Sequence, residues 1–111
     1  MKIRSEASGA AMVVRIEEER VDAANAAEFK AFLAGVVEGG AQAIAVDLTR
    51  VAFVDSSGLG ALVSGKKRLG DKGAFALWGL SPQVRSLFEL TQLHKVFDIY
   101  ESESDAIAKI G

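Results

Sequence analysis

The residue types best able to carry chemistry lie together in Asp55-Ser56-Ser57-Gly58-Leu59-Gly60, midway along a chain of 111 residues. A turn that opens a helix leaves four backbone N–H groups without intrahelical partners. Those groups and the helix dipole favour an anion. A serine hydroxyl at such a turn is exposed and within reach of a kinase. Phosphorylation there adds about −1.5 to −2 charges at neutral pH. The helix end attracts the phosphate while Asp55 repels it. Two unit charges about 5 Å apart, at an effective dielectric near 20, interact by about 3 kcal/mol, and surface screening lowers that. Against an acidic or tightly packed partner, about 1.4 kcal/mol is tenfold in affinity. A phosphate can therefore end a complex without refolding the domain. The plainer role for Ser56 or Ser57 is to cap the helix, since serine is a favoured N-cap. Local chemistry alone leaves both roles open.

Other motifs are weaker. Gly58-Leu59-Gly60-Ala61-Leu62-Val63 approaches a dinucleotide fingerprint between a strand and a helix, but Val63 stands where a third small residue is needed. No acidic residue ends the next strand, Ala74 to Trp78, to hold a ribose. Gly60-Ala61-Leu62-Val63-Ser64-Gly65-Lys66-Lys67 matches a P-loop until Lys67 replaces the Ser or Thr that ligates magnesium. It also falls inside an expected helix, whose backbone is already committed. His94 is the only histidine, and a metal site needs several converging ligands, so surface or capping duty is expected. Asp47 and Asp55 are read as strand-end caps, not as a catalytic carboxylate pair. Phe75 is expected in the core, whereas Trp78, at a strand end, could reach a partner. With no cysteine, disulfides, thiol catalysis and cysteine-ligated metals are excluded. The expectation is a binding module with no cofactor and no metal, and not an enzyme.

The elements that must position the serines follow from periodicity. Ile3 to Ala7 and Met12 to Glu17 read as a hairpin around Ser8-Gly9. Asp22 is expected to cap the next helix. Phe29, Phe32, Leu33, Val36 and Val37 form one apolar stripe on it, and Gly39-Gly40 ends it. Ala43 to Leu48 reads as a buried strand, Ser57 to Leu69 as a helix stopped by Gly70, and Ala74 to Trp78 as a further strand. Ser81-Pro82 opens a third helix, with proline at the position that tolerates a missing N–H. Val96 to Tyr100 reads as the last strand, and Ser102 with Asp105 opens the last helix. The order is ββαβαβαβα. It implies one α/β domain over residues 1–111, with four helices and a mixed, mainly parallel sheet.

Charge and hydropathy narrow the partners. The net charge of −2 argues against nucleic acid, and the run Lys66-Lys67-Arg68 reads as a solvated helix face. No apolar run approaches the roughly 20 residues of a membrane span. Met1-Lys2-Ile3-Arg4-Ser5-Glu6 lacks the apolar stretch of a signal peptide, so a cytoplasmic protein is expected.

Val46-Asp47-Leu48-Thr49-Arg50-Val51-Ala52-Phe53-Val54-Asp55-Ser56-Ser57-Gly58-Leu59-Gly60 resembles the core signature of the STAS family, the sulfate-transporter and anti-sigma-factor-antagonist domain. The likeness extends through nearly the whole chain. Asp22 with Asn25-Ala26 is similar to the family's first helix entrance, and Ser81-Pro82-Gln83-Val84 with Leu87-Phe88-Glu89-Leu90-Thr91 to its third helix. The resemblance implies that Ser56 is a phosphoacceptor, flanked by a partner-binding loop of Asp55, Ser57, Gly58, Leu59 and Gly60 together with Asp22. It implies partner switching. The unphosphorylated protein binds an anti-sigma factor that is also a serine kinase, and so frees a sigma factor. The kinase then phosphorylates Ser56, and a metal-dependent serine phosphatase resets the switch. ATP and metal belong to those partners. Two other roles use the same fold: a constitutive accessory subunit of a lipid-transport complex, or a signalling scaffold. One departure is visible: Glu19-Arg20-Val21-Asp22 lacks the glycine that the family often has shortly before the aspartate.

Overall fold

Ala43-Ile44-Ala45-Val46-Asp47 alternates small and large residues, and that alternation sets the layers of the molecule. The structure, a computed structural model, describes residues 1–111. Its strands are β1 (Ile3–Ser8), β2 (Ala11–Ile16), β3 (Arg20–Val21), β4 (Ala43–Asp47), β5 (Phe53–Val54), β6 (Ala74–Trp78) and β7 (Asp98–Tyr100). Its helices are α1 (Ala26–Glu38), α2 (Ser56–Leu69), α3 (Pro82–Leu90) and α4 (Glu103–Ile110). The main sheet runs β1-β2-β4-β6-β7, antiparallel between β1 and β2 and parallel elsewhere. The α/β class, the four helices and the mixed sheet are as the sequence predicts.

Ile44 and Val46 of β4 stand in register with Phe75 and Leu77 of β6. Together with Val14 and Ile16 they form the floor of the main core. Phe29 and Leu33 of α1, Leu59 and Leu62 of α2, and Val84 and Phe88 of α3 cover it. Phe97 closes one end, its ring 5.9 Å from Phe75 and 5.8 Å from Phe88. Burial of each such side chain stabilises the fold by about 1.5–3 kcal/mol. The opposite sheet face presents the small side chains of Ala45 and Ala76, against which Ala106 of α4 packs. Alanine on both sides lets a short helix approach the sheet closely. Trp78 is partly buried beside this cluster.

The start of α1 differs from expectation. Asp22 does not cap it, because the helix begins only at Ala26. Asp22 instead heads a tight turn: its Oδ1 accepts the Ala24 N–H at 3.0 Å and its carbonyl accepts the Ala26 N–H at 2.8 Å. The last strand also starts late, at Asp98, because Leu93–Lys95 forms a 3-10 turn whose Leu93 carbonyl holds the N–H groups of Val96 and Phe97. Caps at the other helices agree with the sequence. Ser81 Oγ accepts the Val84 N–H at 3.3 Å, and Ser102 Oγ accepts the Asp105 N–H at 3.2 Å.

β3 and β5 form a separate two-stranded parallel ribbon, with Arg20 opposite Phe53 and Val21 opposite Val54. This ribbon carries the chain into the Asp55–Gly60 turn.

Candidate functional site

Val54 ends β5, and Asp55 turns the chain into α2. Its backbone is extended, and its Oδ1 accepts the Gly58 N–H at 3.0 Å, so Asp55 is the helix cap. The second carboxylate oxygen, Oδ2, accepts the Ala23 N–H at 3.1 Å. The Asp55 N–H donates to the Val21 carbonyl at 3.2 Å. One aspartate thus binds the entrance of α2 to the turn before α1. Gly58 makes that approach possible. A Cβ there would lie 2.6 Å from the Val21 carbonyl oxygen and 2.8 Å from Val54 Cγ1.

With Asp55 as the cap, neither serine serves in that role. Ser56 and Ser57 are both exposed, at the first two positions of α2. The first turn of α2 contains no acidic residue. An exposed hydroxyl therefore stands at the positive end of a fourteen-residue helix, beside the carboxylate that caps it.

The turn at Asp22 abuts this entrance through the Ala23–Asp55 bond. Arg20 Nε donates to Asp22 Oδ2 at 3.3 Å, and the Arg20 guanidinium carbon lies 4.1 Å from the centre of the Phe53 ring. Asn25 braces the turn by accepting the Asp22 N–H at 3.0 Å and donating to the Arg20 carbonyl at 2.8 Å. Next to Phe53, a groove of about 470 Å³ runs between β5 and α3, walled by Ala52, Phe53 and Val54 on one side and by Pro82, Gln83 and Leu87 on the other.

Five of the six residues predicted around Ser56 gather at this one corner by continuity along Asp55–Gly60, and the Ala23–Asp55 bond brings in Asp22 from 33 residues away. They do not all face outward. Leu59 is 6 % exposed and packs into the main core, and Gly58 is pressed against Val21. The outward set is Ser56, Ser57 and Gly60, with Asp22 and Asp55 partly exposed.

The STAS domain family model matches residues 2–106. This chain belongs to the STAS domain family. A Bordetella bronchiseptica protein named as an anti-sigma factor antagonist, BtrV, is 31% identical over 98 residues, which cover 87% of this chain and 84% of that one. The crystal structure of an anti-sigma factor antagonist from Mycobacterium paratuberculosis superposes with a TM-score of 0.91 at 27% identity, covering 98% of this chain and 92% of the other. The Bacillus cell fate determinant SpoIIAA, in its phosphorylated form, shares the fold with a TM-score of 0.72 at 23% identity, covering 97% and 98%.

The weaker motifs of this STAS domain fall where their chemistry has no support. Gly60 through Lys67 lies wholly within α2, so those backbone N–H groups are occupied by helix bonds. His94 is exposed in the 3-10 turn, with Nδ1 3.3 Å from the Phe88 carbonyl oxygen. Asp47 is not paired with Asp55. Its Oδ1 accepts the Thr49 N–H at 2.9 Å and the Thr49 hydroxyl at 2.6 Å. The segment Glu19-Arg20-Val21-Asp22, which has no glycine, needs no left-handed backbone, because Gln92 is the chain's one non-glycine residue with positive φ. The Glu19 carbonyl accepts the N–H groups of Ala52 and Phe53 at 2.7 and 3.1 Å and so starts the β3–β5 ribbon.

No helix is long and apolar enough to cross a membrane.

Sequence reasoning missed Arg15, the centre of a charge cluster on the α4 side of the sheet. Its Nη1 donates to Asp47 Oδ2 at 2.9 Å and to Glu103 Oε1 at 2.7 Å, its Nη2 donates to Glu103 Oε2 at 3.1 Å, and its Nε donates to Glu6. Hydrogen bonds to Glu103, then Glu6, hold its guanidinium protonated beyond its usual range. The hydrogen bond from Arg15 holds the Glu6 carboxyl below its ordinary value. The cluster clasps the first turn of α4 to β2 and β4.

Proposed function

We propose that this STAS domain is an anti-sigma factor antagonist: a cytoplasmic binding module switched by phosphorylation of Ser56. Unphosphorylated, it holds an anti-sigma factor that is also a serine kinase, and a sigma factor is released. The kinase transfers the terminal phosphoryl group of ATP to Ser56 Oγ, the hydroxyl proton leaves, and the complex ends. A serine phosphatase restores the hydroxyl. The domain itself performs no catalysis in this cycle.

The observation that carries this reading is the division of labour at the α2 entrance. Asp55 caps the helix, so the Ser56 hydroxyl stands exposed and unneeded for stability. Its neighbours suit a charge switch. Asp22 and Asp55 already make the corner acidic, and a phosphate would add about −1.5 to −2 charges there. A partner surface that accommodates an uncharged serine next to Asp55 loses affinity when a further anion arrives. A loss of about 1.4 kcal/mol is tenfold. The names of the relatives point to the same class of partner, and SpoIIAA, which shares the fold, has a structure in its phosphorylated form.

The test uses the cognate anti-sigma kinase and ATP. The chain should gain one phosphate, mapped to Ser56 by peptide mass spectrometry. Ser56→Ala should gain none and keep binding the kinase, while Ser56→Asp should bind at least about tenfold more weakly. Undiminished binding by Ser56→Asp overturns the proposal. A partner transporter held constitutively, regardless of the residue at 56, would assign the chain to the accessory role instead.

A further inference from the structure

Arg20 brings a cation to the phosphorylation corner, and its present partners are weak. It lies on β3 directly opposite Phe53 of β5. Its guanidinium rests over the Phe53 ring at 4.1 Å and makes a 3.3 Å bond to Asp22 through Nε. Its side chain is 61 % exposed, so it can change rotamer without disturbing the core. Asp22 precedes Ala23, whose N–H is bound by Asp55, and Ser56 follows Asp55. The charged residues of β3, the Asp22 turn, β5 and the start of α2 are Arg20, Asp22 and Asp55.

A phosphoserine at 56 changes the balance among them. It carries more charge than a carboxylate and presents three acceptor oxygens. The guanidinium fork is shaped for two parallel bonds to such a group. Asp55 beside it, and Asp22 in the turn that Asp55 binds, repel the new anion and raise the demand for a cation. An exposed ring face and one long hydrogen bond offer Arg20 less than a doubly charged oxyanion does.

We propose that Arg20 is the phosphate's partner within the chain, and that phosphorylation draws its guanidinium off Phe53 onto Ser56. The inference rests on the phospho-switch reading and gives that switch a second output. In the unmodified protein, Phe53 at the groove mouth is covered by a cation. In the modified protein the ring is bare, and the surface a partner meets has changed at two places.

The test places phosphoserine at position 56 of the full chain by genetic encoding, with no kinase involved. In the unmodified chain the Arg20 Nε–H signal should carry the ring-current shift of Phe53, and phosphoserine should remove it and move the signal downfield. The second ionisation of the phosphate, followed by ³¹P NMR, should rise by about half a pH unit or more in Arg20→Gln, because a cation favours the dianion. Arg20→Lys should recover part of that difference. Amide spectra confirm that the variants remain folded. Identical phosphate ionisation in the wild type and Arg20→Gln overturns the inference. Failure of the kinase to modify Ser56 would sink the proposed function and leave this pairing measurable.

Discussion

Asp55 Oδ1 holds the Gly58 N–H at 3.0 Å, and that single bond makes Asp55, not Ser56, the capping residue of the turn. Losing an N-cap costs about 0.5–2 kcal/mol. Asp55→Ala also frees the Ala23 N–H, so its cost belongs at the upper end of that range. Ser56→Ala removes a hydroxyl that caps nothing and should change stability by no more than about 0.5 kcal/mol. Urea denaturation of the two variants checks this. Equal losses would mean that the serine is structural after all.

The two glycines that follow the serines should respond oppositely to alanine. At Gly58 a Cβ would sit 2.6 Å from the Val21 carbonyl oxygen and 2.8 Å from Val54 Cγ1. Backbone cannot step aside as a side-chain tip can, so Gly58→Ala should cost about 1–3 kcal/mol and push the β3–β5 ribbon from α2. Gly60 has no heavy atom within 4 Å of the same position. It lies on the exposed side of a helix, where alanine is favoured over glycine by up to about 1 kcal/mol. Gly60→Ala should therefore raise the melting temperature.

The contrast shows which parts of this molecule could be read from its sequence. The apolar run from Ala43 to Leu48, the Phe29–Val37 stripe and the Ser81-Pro82 cap are local patterns, and each gives its element directly. The Asp55–Gly60 turn was legible for the same reason, and its resemblance to a family signature supplied a role. What stayed hidden depends on distant partners. β3 and β5 have two residues each, too few for any periodicity, yet they set the position of Asp55. Asp22 has the right chemistry for a cap, but the turn that Asn25 braces delays the helix to Ala26. Arg15 is an ordinary polar residue of β2 until Glu103, 88 positions away, folds onto it. The cap at Asp55, which leaves Ser56 without a capping role, competed in the sequence with Ser56 and Ser57 for the same duty.

The Arg15 cluster makes α4 sensitive to mutation and to acid. Arg15→Ala leaves Asp47, 8 % exposed, without its cation and should cost about 2 kcal/mol. Amide exchange should show the loss concentrated in α4. Glu6 gives the pH dependence. Its folded-state value is depressed below 4.5, so the unfolded chain takes up the proton first as pH falls. Its stabilising contribution is present above about pH 4.5 and declines below it, through the folded-state value. The melting temperature of Glu6→Gln should consequently fall less steeply than that of the wild type below about pH 4.5. Parallel curves would show that the Glu6–Arg15 bond contributes nothing in solution.

Ser56→Asp tests whether charge at position 56 acts on the surface alone. An acidic residue in the first turn of α2 gains about 0.3–1 kcal/mol from the helix end, and that turn carries none at present. Asp55 beside it and Asp22 across the turn repel the new charge by a comparable amount, reduced by screening at an exposed site. The two effects oppose each other, so the unfolding free energy should move by less than about 1 kcal/mol. Amide shifts should change around Asp22, Asp55 and the first turn of α2 and nowhere in the main core. Under those conditions any loss of partner binding by Ser56→Asp reports the interface itself. A large loss of stability, with shifts spreading to Phe29 or Leu62, would show instead that the charge acts by loosening the α1–α2 layer.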